Sequence, residues 1–197
     1  MENMLSKDGT VYYYGCLWNE AACAQVFSNL LETIDWQHDS VMIYGKKIIT
    51  KRKTAWYGNP ECSYRYSHIT RIPLEWTTAL LALKARLEQV TRDTFNACLL
   101  NLYHHGGEGM GWHSDNEREL AQHGSIASLS FGAARKFEFK HRATGEIKSL
   151  SLQNGSLLIM KGATQTYWQH RLPPEKAILT PRINLTFRTI VPATNRM

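Results

Sequence analysis

The 197-residue chain has little to staple or anchor it. Its four cysteines, Cys16, Cys23, Cys62 and Cys98, are scattered and form no Cys-x-x-Cys pair. A reducing compartment is the simplest setting, with the thiols as small core residues. No apolar run reaches the roughly 18 residues that a membrane helix needs. The opening "MENMLSKDGT" lacks the charged-then-apolar layout of a signal peptide. The expectation is a cytoplasmic protein (intracellular, and nuclear if the source is eukaryotic) with no membrane partner. There is no internal repeat and no low-complexity segment.

What is present describes a globular chain. Hydrophobic residues make up 43% and charged residues 20%, which suits a soluble fold. The length supports one domain with a sizeable core and would cramp two. The formal charge of +6 favours a polyanionic partner such as nucleic acid.

Two stretches read as helices. "NEAACAQVFSNLLETI" (19–34) has Asn19 as a cap and apolar residues at helical spacing. "IPLEWTTALLALKARLEQVTR" (72–92) places Pro73 in a first turn. From Phe95 onward the texture becomes β: "FNACLLNLY", "SIASLSFG", "KFEFKH", "LQNGSLLIM" and "RINLTFRTIV", with Asn154-Gly155 as the clearest turn. Short strands at short spacing predict an antiparallel sandwich or jelly roll. The class is α+β, mostly β, with the helices as braces.

One pair invites chemistry. In "GMGWHSDNERELAQHG", His113 and Asp115 stand at i and i+2, the spacing that aims both side chains to one side of an extended chain. "TYWQHRLPP" offers His170 as a distal partner. Two imidazoles and a carboxylate on one face of a metal form the facial triad of non-haem Fe(II) oxygenases, which leaves positions open. A His-x-Asp pair is weak alone, and eight histidines supply many distal candidates. A zinc hydrolase also uses such ligands.

The segment "RINLTFR" sharpens the reading. Arg182, Asn184, Thr186 and Arg188 share one face of a strand; Ile183, Leu185 and Phe187 share the other. Such a polar row is commonly a solvated outer face. This one lacks the Lys/Glu/Ser mixture of an outer surface and follows the candidate His170. Arginine is the preferred fork for carboxylates, so a short diacid such as 2-oxoglutarate suits the row.

Together, "NLYHHGGEGMGWHSDNE", "SIASLSFGAARKFEF", "GATQTYWQHRLP" and "PRINLTFR" resemble the AlkB-type 2-oxoglutarate- and Fe(II)-dependent dioxygenases, most of all the members that repair alkylated DNA. The similarity runs from about Val41 to Pro192. It implies a double-stranded β-helix, a jelly-roll variant, in one dioxygenase domain over 1–197. About 1–95 would carry N-terminal helices and a nucleotide-recognition lid, and about 96–192 the catalytic core. It implies that His113, Asp115 and His170 bind Fe(II). Asn101, Tyr103, Arg182, Asn184, Thr186 and Arg188 would line the 2-oxoglutarate pocket, with O2 as the other cosubstrate.

"YGNPECSYRYS" resembles the lid and would bring Tyr64, Arg65, Tyr66 and Ser67 over the damaged base. "IYGKKIITKRK" resembles the region that meets DNA near the lesion, with Tyr44 as an aromatic probe and Arg52 in a basic cluster. A carboxylate at Glu117 suits cationic bases such as 1-methyladenine and 3-methylcytosine. Asn116 departs from the pattern, because the repair members often carry a second acid there.

The implied reaction is oxidative demethylation, releasing succinate, CO2 and formaldehyde. The partner is alkylated nucleic acid, DNA ahead of RNA, and the chain acts as a monomer. The same chemistry on RNA or protein, or a nucleic-acid-binding module with a relic site, are the competing readings.

Overall fold

The computed structural model describes residues 1–43, 46–62, 64–66 and 69–191, with side chains over 1–38, 49–62 and 72–191. Its frame is two antiparallel sheets. The larger has seven strands, in the order β1 (Thr10–Cys16), β11 (Ser156–Lys161), β8 (Ile126–Gly132), β13 (Arg182–Arg188), β6 (Ala97–Tyr103), β3 (Lys46–Gly58) and β2 (Gln37–Ile43). The smaller has four: β10 (Ile147–Leu152), β9 (Arg135–His141), β12 (Trp168–Leu172) and β7 (Met110–His113). The short strands β4 (Tyr64–Tyr66) and β5 (Ile69–Arg71) pair with each other.

Residue alternation builds three layers. Leu100 and Leu102 of β6 and Ile183, Leu185 and Phe187 of β13 pack with Leu30 of α1 (Glu20–Thr33) and Leu80, Leu83 and Leu87 of α2 (Thr78–Thr91). The opposite side of the large sheet gives Tyr103, Ile126, Leu158 and Met160 to a second core with Phe137, Phe139, Trp168 and Leu172 of the small sheet. The result is the jelly-roll sandwich that the β-rich texture implied, braced by helices on one side.

The helices follow their caps. Asn19 accepts a hydrogen bond from the Ala22 amide at 2.9 Å and starts α1. α2 starts at Thr78 rather than near Pro73. The chain around Leu74 is instead drawn to β3, where the Leu74 amide donates to the Trp56 carbonyl and accepts from the Gly58 amide through its own carbonyl. Thr77 then caps α2 by accepting from the Leu80 amide.

The Asn154-Gly155 turn is also more than a hairpin. It carries the chain from β10 in one sheet to β11 in the other. Gly155 has φ +72°, and a Cβ there would collide with Cys23 Sγ, so glycine is required. The N-terminal part supplies strands as well as helices, since β1, β2 and β3 all belong to the large sheet.

Candidate active site

Register brings the histidines together. In the antiparallel β7–β12 pair, His113 lies opposite His170, with ring centroids 4.3 Å apart. Asp115 follows β7 on the same side. One ligand atom from each of His113, Asp115 and His170 lies within 4.8 Å of the others. That separation is on the scale of two metal–ligand bonds of about 2.0–2.2 Å each. Among the described residues this is the one such group of ligating side chains.

Local contacts prepare each ligand. His113 Nδ1 lies 2.8 Å from the Gly111 carbonyl oxygen. A carbonyl only accepts, so Nδ1 carries the hydrogen and Nε2 keeps a free lone pair. Burial, then the neighbouring His113, lowers the His170 pKa to about 3. That imidazole is neutral near pH 7 and ready to ligate. Burial alone would raise the Asp115 carboxyl, but Arg188 and the two imidazoles outweigh it and hold the pKa below the ordinary carboxylate value. Arg188 Nη2 stands 3.2 Å from Asp115 Oδ2. The Asp115 amide donates to Gln165 Oε1 at 2.9 Å.

The triad opens into a cavity of about 160 Å³ between the sheets. β13 forms one wall. All seven of its residues are buried, so its polar row is an inner face, and the solvated reading fails. Arg182 is 2% exposed, donates from Nη2 to Ser130 Oγ at 2.9 Å, and sits with Cζ 5.6 Å from the Tyr103 ring centre. Burial lowers its pKa to about 10, with Arg135 adding to the effect, which still leaves it charged. Its buried Nε has no hydrogen-bond partner. Asn184 donates to Ser128 Oγ and the Leu129 carbonyl, and Thr186 donates to Asn184 Oδ1.

The cavity thus gathers the three expected metal ligands and all six residues expected around 2-oxoglutarate: Asn101, Tyr103, Arg182, Asn184, Thr186 and Arg188. Arg52 and Glu117 also line it. Arg52 Nε donates to Asn101 Oδ1 at 3.1 Å, while its neighbour Lys53 pairs with Leu102 on the helix side. Arg52 and Lys53 therefore lie on opposite faces of β3. Burial, then Asp115, raises the Glu117 pKa, and its Oε2 is buried with no hydrogen-bond partner.

Asn116 lines a neighbouring cavity of about 340 Å³, which shares Asp115, Glu117 and Arg188 with the first. The larger space is not the one that holds the triad. Tyr64, Arg65 and Tyr66 form β4, but their side chains lie outside the described residues, as do Tyr44 and Ser67 entirely.

Sequence reading missed Ser128, Ser130 and Gln165. The two serines were visible, since they alternate with Ala127, Leu129 and Phe131. Gln165 sits in the single-turn helix α3 (Thr164–Tyr167), where no periodicity marks it.

No helix among the described residues is long and apolar enough to cross a membrane. Residues 9–188 match the model of the 2OG-Fe(II) oxygenase superfamily. The chain is 39% identical to DNA oxidative demethylase ALKBH2 of Bos taurus over 93% of its length and 70% of that protein. Against ALKBH2 of Mus musculus the identity is 39%, over 95% of this chain and 83% of the relative. It is 41% identical to alpha-ketoglutarate-dependent dioxygenase alkB homolog 3 of Homo sapiens, over 85% of this chain and 61% of that one. The solved structure of OsALKBH1 superposes with a TM-score of 0.55 over 94% of this chain and 98% of the other, at 16% identity, a likeness of fold. A sandwich that sets two histidines and an aspartate against a buried arginine row, matched over nearly its whole length, belongs to the 2OG-Fe(II) oxygenase superfamily.

Proposed function

We propose that this chain is a DNA-repair dioxygenase that removes alkyl groups from N-alkylated bases such as 1-methyladenine and 3-methylcytosine. The observation that carries this reading is its 39% identity, over 93–95% of its length, to proteins named DNA oxidative demethylase. It works as a monomer. It acts inside the cell, in the nucleus where there is one, a setting consistent with four free thiols. Residues 1–197 act as one dioxygenase domain.

The residues fit the cofactors of the family, Fe(II), 2-oxoglutarate and O2. Two imidazoles and one carboxylate are the donor set that a non-haem ferrous ion takes. The unpartnered Nε of Arg182 is a buried cationic donor at the opposite end of β13 from Arg188. A diacid carboxylate satisfies it. When bound, the iron, 2-oxoglutarate and O2 together supply oxidation of a methyl carbon–hydrogen bond, with succinate and CO2 as by-products.

The chain's own groups do the rest. His113, Asp115 and His170 hold the metal. Arg182 grips the far carboxylate, and Asn101, Tyr103, Asn184 and Thr186 shape the space beside it. Arg188 keeps Asp115 ionised. A base reaches this cavity only when flipped from its stack, at a cost of a few kcal/mol. Tyr64 and Tyr66 give the flipped base an aromatic face, which offsets about 1–3 kcal/mol per stacked base. Arg65 and Ser67 lie over the same base, Tyr44 contacts the strand around it, and Arg52 lines the cavity that the base enters. Glu117, beside Asn116, accepts a base that carries positive charge. Hydroxylation of a methyl on a ring nitrogen gives a hemiaminal, which sheds formaldehyde and restores the base.

The test is product analysis by mass spectrometry with methylated DNA, methylated RNA and methylated peptide side by side. Succinate and formaldehyde released fastest from DNA, and lost together in His113→Ala, are expected. Faster release from RNA or peptide overturns the choice of DNA.

A further inference from the structure

Asp115 is the one member of the triad that no strand holds. β7 ends at His113, whose partner across the ladder is His170. Two residues further, the same register would set Asp115 opposite Trp168, but β12 begins there and the chain before it is α3. The ladder therefore stops one ligand short. Arg188 steers the Asp115 carboxylate, and the main chain needs a partner of its own.

That partner is Gln165. Its Oε1 accepts from the Asp115 amide at 2.9 Å, and its Nε2 lies 3.3 Å from Met160 Sδ. A backbone amide only donates, so the carboxamide takes one orientation, with oxygen on Asp115 and nitrogen on the sulfur. A polar residue in a single-turn helix ordinarily meets solvent. Here both ends of the side chain are engaged, and Gln165 lines the larger cavity together with Asp115.

α3 cannot keep this place alone, because four residues are too few for a self-supporting helix. The segment before β1 grips it at both ends. Thr164, 1% exposed, accepts from the Thr10 amide through Oγ1 at 2.8 Å and donates to the Lys161 carbonyl at 2.6 Å. Just past the other end, Trp168 Nε1 donates to the Lys7 carbonyl at 3.0 Å, and Leu5 is buried in the same core as Trp168. Gly9 lies so close to α3 that a Cβ would stand 3.1 Å from Thr164 Cα. His141 adds a clip. Its Nδ1 accepts from the Thr144 amide, so Nε2 carries the hydrogen and donates to Asp8 Oδ2 at 3.2 Å.

Resting on the reading of His113, Asp115 and His170 as ligands of the ferrous ion, we propose that Gln165 is the positioning residue for Asp115, and that residues 5–10 hold it in place through α3. The segment 164–170 then serves the metal twice, once through the ligand His170 and once through the brace of another ligand. Metal affinity depends in this way on a stretch of chain far upstream of all three ligands.

The test is Co(II) titration of the metal-free full chain, followed by its visible absorption bands with no cosubstrate present. A side chain that orients a metal ligand typically carries about 10- to 100-fold in affinity. Gln165→Met, similar in length but without the acceptor oxygen, is expected to weaken Co(II) binding by that factor and to shift the bands. Gln165→Glu keeps an acceptor for the amide and should restore the wild-type bands. Thr164→Val removes the hydroxyl that ties α3 to Thr10 and should weaken Co(II) binding several-fold without touching a ligand. Thr91→Val is the control. It loses a buried hydroxyl bonded to the Leu87 carbonyl on α2, and should lower thermal stability while leaving Co(II) affinity and bands unaltered.

Wild-type affinity and bands in Gln165→Met overturn the proposal. So does a Gln165→Glu variant no closer to the wild type than Gln165→Met. An equal affinity loss in Thr91→Val also overturns it, because the effect then follows stability rather than position. Should Gln165→Met fail to fold, wild-type Co(II) affinity in Thr164→Val overturns it instead. Failure of the wild type to bind Co(II), or binding that persists unchanged in His113→Ala, is a separate result and counts against the reading of the triad.

Discussion

Arg188 Nη2 stands 3.2 Å from Asp115 Oδ2, and Arg188 Nη1 stands 3.6 Å from Glu117 Oε1. One guanidinium, 3% exposed, thus serves two carboxylates at the metal end of the cavity. Replacing Arg188 with Met leaves the Asp115 charge buried without that partner. Breaking a buried pair in this way costs about 3–5 kcal/mol. We expect the metal-free variant to lose stability on this scale in urea denaturation. Added Mn(II) should restore part of it, because a divalent ion binds only the folded state and offsets the carboxylate charge.

Arg182 should behave differently, since its buried Nε is an unpartnered donor. Loss of charge-assisted hydrogen bonds to a diacid costs roughly 1.5–3 kcal/mol, about 10- to 100-fold in binding. Arg182→Met should raise the KM for 2-oxoglutarate by that factor and change kcat less. Arg182→Lys should recover only part, because an ammonium lacks the planar fork. Steady-state succinate release against 2-oxoglutarate concentration reads both numbers.

These residues show how far the sequence reaches. The alternation of Arg182, Asn184, Thr186 and Arg188 stated which side chains share a face, and the strand is built that way. Which face points inward was a matter of tertiary packing, decided by α1 and α2 covering Ile183, Leu185 and Phe187. The His113–His170 meeting depends on strand register between β7 and β12, which no local pattern encodes. The start of α2 went astray because Leu74 found backbone partners on β3, a long-range pairing that a favourable Pro73 cannot reveal.

The histidine at 170 should also set a pH dependence. Its pKa falls from 6.5 to about 3 in the fold, so the unfolded chain takes up a proton that the native one refuses. Its contribution to stability is fully present above pH 6.5 and is lost as the pH falls toward 3. One proton corresponds to about 1.4 kcal/mol per pH unit in that window. Asp115, whose pKa is also lowered, adds a loss of the same sign further into acid. Metal-free His170→Gln should show a shallower acid slope than the wild type in urea denaturation between pH 6 and pH 4. Identical slopes would mean that this imidazole is charged or solvated in the fold.

The loop between Tyr103 and Met110 tests how the cavity wall is held. Arg135, 1% exposed, donates from Nη2 to the carbonyls of Gly106, Glu108 and Pro173 and from Nε to Glu175 Oε2. It thereby clamps this loop to the segment after β12. Gly106 lies against that segment so closely that a Cβ would collide with the Glu175 carbonyl oxygen. Backbone cannot step aside as a flexible side chain can, so Gly106→Ala should destabilise the fold by about 1–3 kcal/mol. The same displacement moves Tyr103 and Met110, both of which line the cavity. The KM for 2-oxoglutarate should therefore rise along with the loss of thermal stability. Gly145→Ala, at an open turn where an added Cβ meets nothing within 4 Å but φ is +71°, should strain the backbone and leave that KM unchanged. A Gly106 variant with wild-type KM and stability would show that the clamp does not position the wall.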